Sequence, residues 1–450
     1  MKKSVFVMIC AMVFMLGLGA CTKPPVTPPP EDDSGLSFPK RAPLTTGQKW
    51  TEGDVKYPSA LWTEVPAYAE DDALIPLEDG LEAVTGIFYD SPIAWNGKKT
   101  KIAAYYGFPK GASAEKKVPG IVLVHGGLGT AYPDWVKLWN DQGFAAIAMD
   151  TEGGQPLPDI TMNTGKHNER NQYAYTASSP DPDFTAGPTN TGYAHADGPL
   201  EGQWMYHATS AVILANTLLR SFPQVDETRV GVTGISWGGI ISSIVAGYDD
   251  RFAFCMPVYG SVGLTGTGNG NDFGTVHDGS DNPAKARALW DTTAPIEASD
   301  MPILWLNSNK DYAFPLKAMS DNYLKSKYAS FTVKNSLSHG QTQGADIGEL
   351  FCFARAVAGI DAQWVQITQD PTPETPVIKW RAGKDSTVER VNVYYTTAAK
   401  ADKDAVYQSE TFLPDADGGA TVTYPENATF CYVSVVFNNN LYVSSALAKM

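Results

Sequence analysis

Five short, mainly apolar runs separated by segments of helical pattern constrain this chain more than any other feature. They are Val118–Val124, Phe144–Met149, Val230–Thr233, Phe252–Val258 and Ile303–Leu306. A half-exposed strand alternates apolar and polar residues, whereas a continuous apolar run must be buried on both faces, as happens in parallel sheets covered by helices. Between and after these runs lie helical patterns at Trp135–Gln142, Gln203–Arg220, Gly239–Gly247, Pro315–Ser326 and Asp346–Ala358. The alternation predicts a doubly wound, mostly parallel α/β sheet joined by right-handed crossovers. Ahead of it, the β-like runs Val84–Tyr89 and Lys101–Tyr106 flank Asn96-Gly97, a strong hairpin signal.

The two ends of the chain have a different texture. Lys2, Lys3 and the apolar stretch Val5–Leu18 read as a signal peptide over residues 1–20, too short for a membrane span. Leu18-Gly19-Ala20-Cys21 resembles the lipobox of bacterial lipoproteins. That resemblance implies lipidation of Cys21, membrane attachment through the lipid, and a place in the cell envelope (outer membrane, periplasmic side or cell surface). Residues 21–36, Pro-rich and then acidic, read as an extended tether. Residues 37–365 are expected to form the α/β domain with an N-terminal β extension. Asp370–Pro376 reads as a linker, and residues 372–450, with short alternating strands, as a small β-sandwich whose Asn438-Asn439-Asn440 makes a tight turn.

Charge and cysteines exclude several function classes. With 34 basic against 49 acidic residues the net charge is −15, which argues against a nucleic-acid partner, because such proteins neutralise phosphates with clustered Lys and Arg. After Cys10 and Cys21, the remaining Cys255, Cys352 and Cys431 are scattered, odd in number and without metal-ligand spacing. They read as small buried hydrophobes, and neither a metal nor a cofactor is expected.

Gly234-Ile235-Ser236-Trp237-Gly238-Gly239 directly follows the strand Arg229–Thr233 and precedes a helix of small residues. That context makes the run a nucleophile elbow, with Ser236 raised at the sheet edge near a helix N-terminus. An acid and a base follow in the order this fold uses. Asp311 lies in the loop after Ile303–Leu306, where it can orient an imidazole; Asp300 is at the wrong edge and Asp321 lies inside a helix pattern. His339 follows the run Phe331–Val333 and suits the general base. His167, His195 and His277 fall in two long excursions (Thr151–Leu200 and Ser261–Asn282), and His207 precedes the serine. His125-Gly126-Gly127-Leu128-Gly129 follows the first apolar run, so the amides of Gly127 and Trp237 are candidate oxyanion donors, with His125 as a loop brace. Neither Gly run has the spacing of a phosphate loop.

These motifs cover roughly Glu82 to Ala358. They resemble the acetyl xylan esterase and dienelactone hydrolase-like branch of the α/β hydrolases, and the elbow also resembles that of the prolyl-oligopeptidase-like hydrolases. The resemblance implies a triad of Ser236, Asp311 and His339, although dienelactone hydrolases carry a Cys where this chain has Ser236. It implies an esterase removing acyl groups, acetyl foremost, from a polysaccharide or oligosaccharide such as xylan. Two other readings stay open: a peptidase or amidase of the oligopeptidase kind, and a non-catalytic glycan-binding lipoprotein. Tyr173, Tyr175, Tyr193, Trp204 and Tyr206 in and beside the first excursion suit sugar stacking or plain packing.

Overall fold

The computed structural model describes residues 33–39, 53–157, 159–162, 183–261 and 282–450. The signal, Cys21, His167, His277, Tyr173 and Tyr175 lie outside the described residues, as do most of the tether, part of the first excursion and most of the second.

Ten strands build the central sheet: β1 (Tyr68–Glu70), β2 (Val84–Trp95), β3 (Lys98–Gly107), β4 (Val118–Val124), β5 (Ala145–Met149), β6 (Phe184–Ala186), β7 (Val225–Ile235), β8 (Cys255–Val258), β9 (Ile303–Ser308) and β10 (Ala329–Lys334). Their spatial order is β1-β2-β3-β5-β4-β7-β8-β9-β10, with β6 beside β3. From β5 to β10 every neighbouring pair is parallel. The strands ahead, β1 to β3, are antiparallel, and β2 turns into β3 through Asn96 (φ 51°) and Gly97 (φ 77°) as the sequence predicts.

The continuous apolar runs are explained by two cores. Val122 and Val124 of β4, Ile147 of β5, Val232 of β7 and Trp305 of β9 face one core with the helices Trp204–Ser221, Trp237–Tyr248 and Leu316–Lys325. The alternate residues Ile121, Leu123, Ala146, Ile235 and Leu306 face the other, with the helices Pro133–Asp141 and Gly348–Val357. Each parallel strand therefore has no polar face to show.

The C-terminal strands form two antiparallel sheets. One contains β11 (Val365–Gln369), β12 (Val377–Ala382) and β15 (Gly419–Thr421). The other contains β14 (Gln408–Phe412), β13 (Val388–Thr396), β16 (Phe430–Phe437) and β17 (Leu441–Ser444), with β18 (Ala448–Lys449) on β16. Asn438, Asn439 and Asn440 all take positive φ between β16 and β17. Two sequence boundaries differ from this arrangement. The stretch read as a linker joins β11 to β12, which pair antiparallel, so it is a turn inside the β region. The last residues read as tether are packed: Leu36 is fully buried, Ser34 accepts from Lys384 N at 2.8 Å, and the adjoining Ser37 bonds Gln366. Val391, Val433 and Phe437 of the sandwich share the second core with the central sheet, bridged by Trp364 between Phe353 and Phe437.

Candidate active site

Five loops meet at the carboxyl edge of the parallel strands, following β4, β7, β8, β9 and β10, which is where open α/β sheets bind ligands. Ser236 sits alone between β7 and its helix with φ 56° and ψ −116°, a conformation that costs a non-glycine residue about 1–3 kcal/mol. The turn holds because strand and helix nearly touch. A Cβ at Gly234 would overlap the Gly238 carbonyl, and one at Gly238 would overlap that of Val124. Ser236 N donates to Val258 O at 3.0 Å, and Ser236 O caps the helix through Gly239 N and Ile240 N.

The structure brings Ser236, His339 and Asp311 into one hydrogen-bonded line. His339 Nε2 lies 2.9 Å from Ser236 Oγ, and Nδ1 lies 2.7 Å from Asp311 Oδ2. Asp311 also accepts on Oδ1 from Ala313 N (2.8 Å) and Phe314 N (2.7 Å), so it is acceptor-only there, and Nδ1 must carry the proton it donates. That leaves Nε2 as the acceptor facing the serine hydroxyl. The Asp311 side chain is fully buried. The imidazole is wedged among Tyr259, Tyr312 and Phe314, with ring centroids 4.4, 5.2 and 5.9 Å away.

In the loop after β4, three of four amides are already used. Gly126 N donates to Gln341 Oε1 (3.1 Å), Leu128 N to Glu152 Oε1 (2.8 Å) and Gly129 N to Gly126 O (3.0 Å). Among the described residues no acceptor meets Gly127 N, nor Trp237 N, which as the first residue of its helix has no intrahelical partner. A Cβ on Gly127 would collide with Trp237 Cδ1, so the two residues that carry these free donors pack against each other. His125 is buried and braces the loop: Nε2 accepts from Thr151 N at 2.9 Å and Nδ1 donates to Gly126 O at 2.7 Å.

A cavity of about 580 Å³ opens over Ser236, lined by Gly127, Leu128, Tyr132, Met162, His339 and Thr342 among others. Met162 is clamped at both backbone ends, its N–H by the Asp134 carboxylate and its carbonyl by Thr342 Oγ1 at 2.6 Å. Burial pushes the Asp134 carboxyl up to about 6. Leu128 and Tyr312 are 61% and 57% exposed beside this cavity and the imidazole, respectively.

Other sequence candidates fall elsewhere. His207 donates to Glu201 O at 2.8 Å and burial holds it below the usual imidazole range, so it is a packed structural residue. His195 is exposed with φ 65°. Tyr193 and Trp204 are buried against Trp237, and Tyr206 stacks on Tyr57, which settles these three as packing. Tyr259, Tyr312, Gln341 and Asn309 were not visible as site residues; Tyr312, directly after Asp311, carried the nearest available signal, with Asn309 and Gln341 each two positions from a triad candidate. Among the described residues no cluster of His, Cys, Asp or Glu could hold a metal, and no helix is long and apolar enough to cross a membrane.

Residues 70–262 match the family model "Acetyl xylan esterase (AXE1)". A probable dipeptidyl-peptidase 5 of Aspergillus terreus is 30% identical over 139 residues, and one of Aspergillus clavatus is 31% identical over 137. Each match covers 28% of this chain and 18% of the relative's length. Among solved structures, an acetyl xylan esterase from a Paenibacillus species superposes with TM-score 0.44 at 18% identity, over 61% of this chain and 84% of that one. Acylaminoacyl peptidase from Pyrococcus horikoshii gives 0.41 at 17% identity, over 60% and 41%. The strand order and the elbow after β7 give this chain the α/β-hydrolase fold, and its residues 70–262 carry the acetyl xylan esterase family match.

Proposed function

We propose that the chain is a serine esterase that removes acyl groups, acetyl foremost, from polysaccharides or oligosaccharides such as xylan. The observation that carries the reading is the unbroken line from Ser236 Oγ through His339 to Asp311, with the unused Gly127 and Trp237 amides beside it. His339 Nε2 takes the Ser236 proton as Oγ attacks the ester carbonyl carbon, and Asp311 stabilises the imidazolium. The two amides receive the oxyanion, a contribution of about 2.7–4 kcal/mol per donor in related sites. Collapse breaks the bond to the alkoxy oxygen, which leaves as the alcohol with the proton from His339. Water, deprotonated by His339, then attacks the acyl-serine, and the proton returns to Oγ as the acid departs. The leaving alcohol lies on the His339 side, where the exposed Tyr312 ring suits a sugar face.

The test is acetate release from acetylated xylan beside cleavage of short peptides. Wild type is expected to release acetate, and Ser236→Ala to lose at least about 10⁴-fold in kcat. Peptide turnover without ester turnover would replace this reading with the peptidase one suggested by the dipeptidyl-peptidase relatives. We further propose that Cys21 is lipidated and holds the enzyme in the cell envelope; Cys21→Ser is expected to move it to the soluble fraction.

A further inference from the structure

The segments that carry the acid and the base are both tied to one buried side chain, and that side chain is tied to the C-terminal sandwich. Asn309 lies two residues before Asp311. Its Oδ1 accepts from Ser336 N at 2.9 Å, and its Nδ2 donates to Asn335 Oδ1 at 2.7 Å and to Tyr432 OH at 3.3 Å. Both N–H groups and the oxygen are engaged, which fixes the carboxamide's orientation. Ser336, three residues before His339, is held with φ 61°, a conformation that persists where surrounding bonds over-determine it. Lys310, directly after Asn309, sends Nζ to Ala405 O at 2.7 Å in the segment between β13 and β14. Tyr432 of β16 is buried and stacked on Tyr394 (4.9 Å) and against Tyr407 (5.5 Å), so its hydroxyl is placed by the sandwich core.

A module that merely covered the sheet's edge strand would need contacts along β10 alone. Those exist: Thr332 Oγ1 donates to Tyr442 O at 2.8 Å, and Val333 N donates to Ser444 Oγ at 3.1 Å. The bonds at Asn309 and Lys310 lie off β10, in the two residues directly before the acid. We propose that the C-terminal sandwich is a positioning part of the active site, with Asn309 and Tyr432 as the positioning residues that fix the Asp311 and His339 loops relative to each other. The inference rests on the triad chemistry above but not on the natural substrate. Small misplacements of reacting groups are expensive, which is why second contacts of this kind matter for rate.

Tyr432→Phe removes the hydroxyl and keeps the stacked ring; Lys310→Met removes the other tie and leaves Tyr432 intact. Both are assayed as full-length protein with p-nitrophenyl acetate over a full pH range, with Tm measured in parallel. Each is expected to lower kcat by about 3- to 10-fold with KM unchanged. The acidic limb of kcat/KM is expected to move toward lower pH, because an imidazolium that loses alignment with its carboxylate releases its proton more readily. Variants with lowered Tm but wild-type kcat and pH profile would reduce the sandwich to a structural cover and overturn the proposal, as would variants unchanged in every respect. A wild type inert toward the ester would overturn the triad reading itself, and this inference with it.

Discussion

At Asp134 two influences on one carboxyl group compete. It sits in the first turn of the helix Pro133–Asp141, where the dipole favours a negative charge, and it accepts from Met162 N. Burial nevertheless wins and pushes it up to about 6. A carboxyl whose folded value is raised stabilises the fold fully below the unfolded value, and that contribution is lost as pH rises through about 6. Two pH units correspond to at most about 3 kcal/mol, less whatever solvent reaches the half-buried group. Asp134→Asn keeps an acceptor for Met162 and cannot ionise. Its urea stability is expected to match wild type near pH 4 and exceed it at pH 8, and equal stabilities at pH 8 would remove desolvation as the controlling cause. Ser236, Asp311 and His339 were legible in the sequence at this same scale because the fold presents them in a fixed chain order after particular strands. Tyr259 was not: its ring lies against His339 and its hydroxyl bonds Gly340, contacts 80 or so positions apart that no local pattern encodes.

Among the elements, the buried ion pair that follows the helix Trp237–Tyr248 shows how one charge pair ties segments together, the helix Trp204–Ser221 included. Arg251 pairs with Asp249 at 2.8 Å and reaches Trp62 O at 3.0 Å, binding the short helix Ala60–Thr63 to the α/β core. Asp249 also accepts from Asn216 Nδ2 at 3.0 Å. Removing the guanidinium strands a fully buried carboxylate, so Arg251→Met is expected to cost about 3–5 kcal/mol in urea unfolding. The surface pair Lys137–Asp141, of similar length at 2.6 Å, is expected to cost no more than about 0.5 kcal/mol when broken by Lys137→Ala. Equal losses at the two sites would refute burial as the deciding factor. The parallel strands and the helices Pro133–Asp141, Trp204–Ser221, Trp237–Tyr248, Leu316–Lys325 and Gly348–Val357 followed from periodicity, while β1 and β6 of the same sheet, the helices Pro283–Trp290 and Thr293–Ala298, and β11 and β14 beyond it escaped it. β14 is a largely exposed edge strand, Gln-Ser-Glu-Thr-Phe, with no buried face to produce an alternation.

In the whole molecule the sandwich and the central sheet share one core, and the segment at Ser34–Phe38 packs into it, with Phe38 against Phe353. Lys334 meets the buried Glu349 at 2.8 Å, and Glu349 Oε1 also accepts from Tyr442 N at 2.9 Å, so a carboxylate on the α/β side takes one of its bonds from β17. A chain ending at Ala358 would uncover β10 as a bare edge strand and open the second core. It is expected to aggregate in size-exclusion chromatography, and a monodisperse active fragment would show that the two parts fold independently. The sequence by itself determined the parallel part of the sheet, the elbow turn, the candidate acid and base, and the Gly-rich loop after β4 as the candidate oxyanion site. Each of these follows from a local rule: two-sided burial makes runs apolar, a sharp turn demands small residues, and chain order assigns the acid and base. Only the tertiary structure decided which loop amides stay free, which aromatics are buried and which exposed, and that the β domain grips the acid loop. These depend on contacts between residues distant along the chain, where burial and hydrogen-bond partners are set by packing and leave no periodic trace.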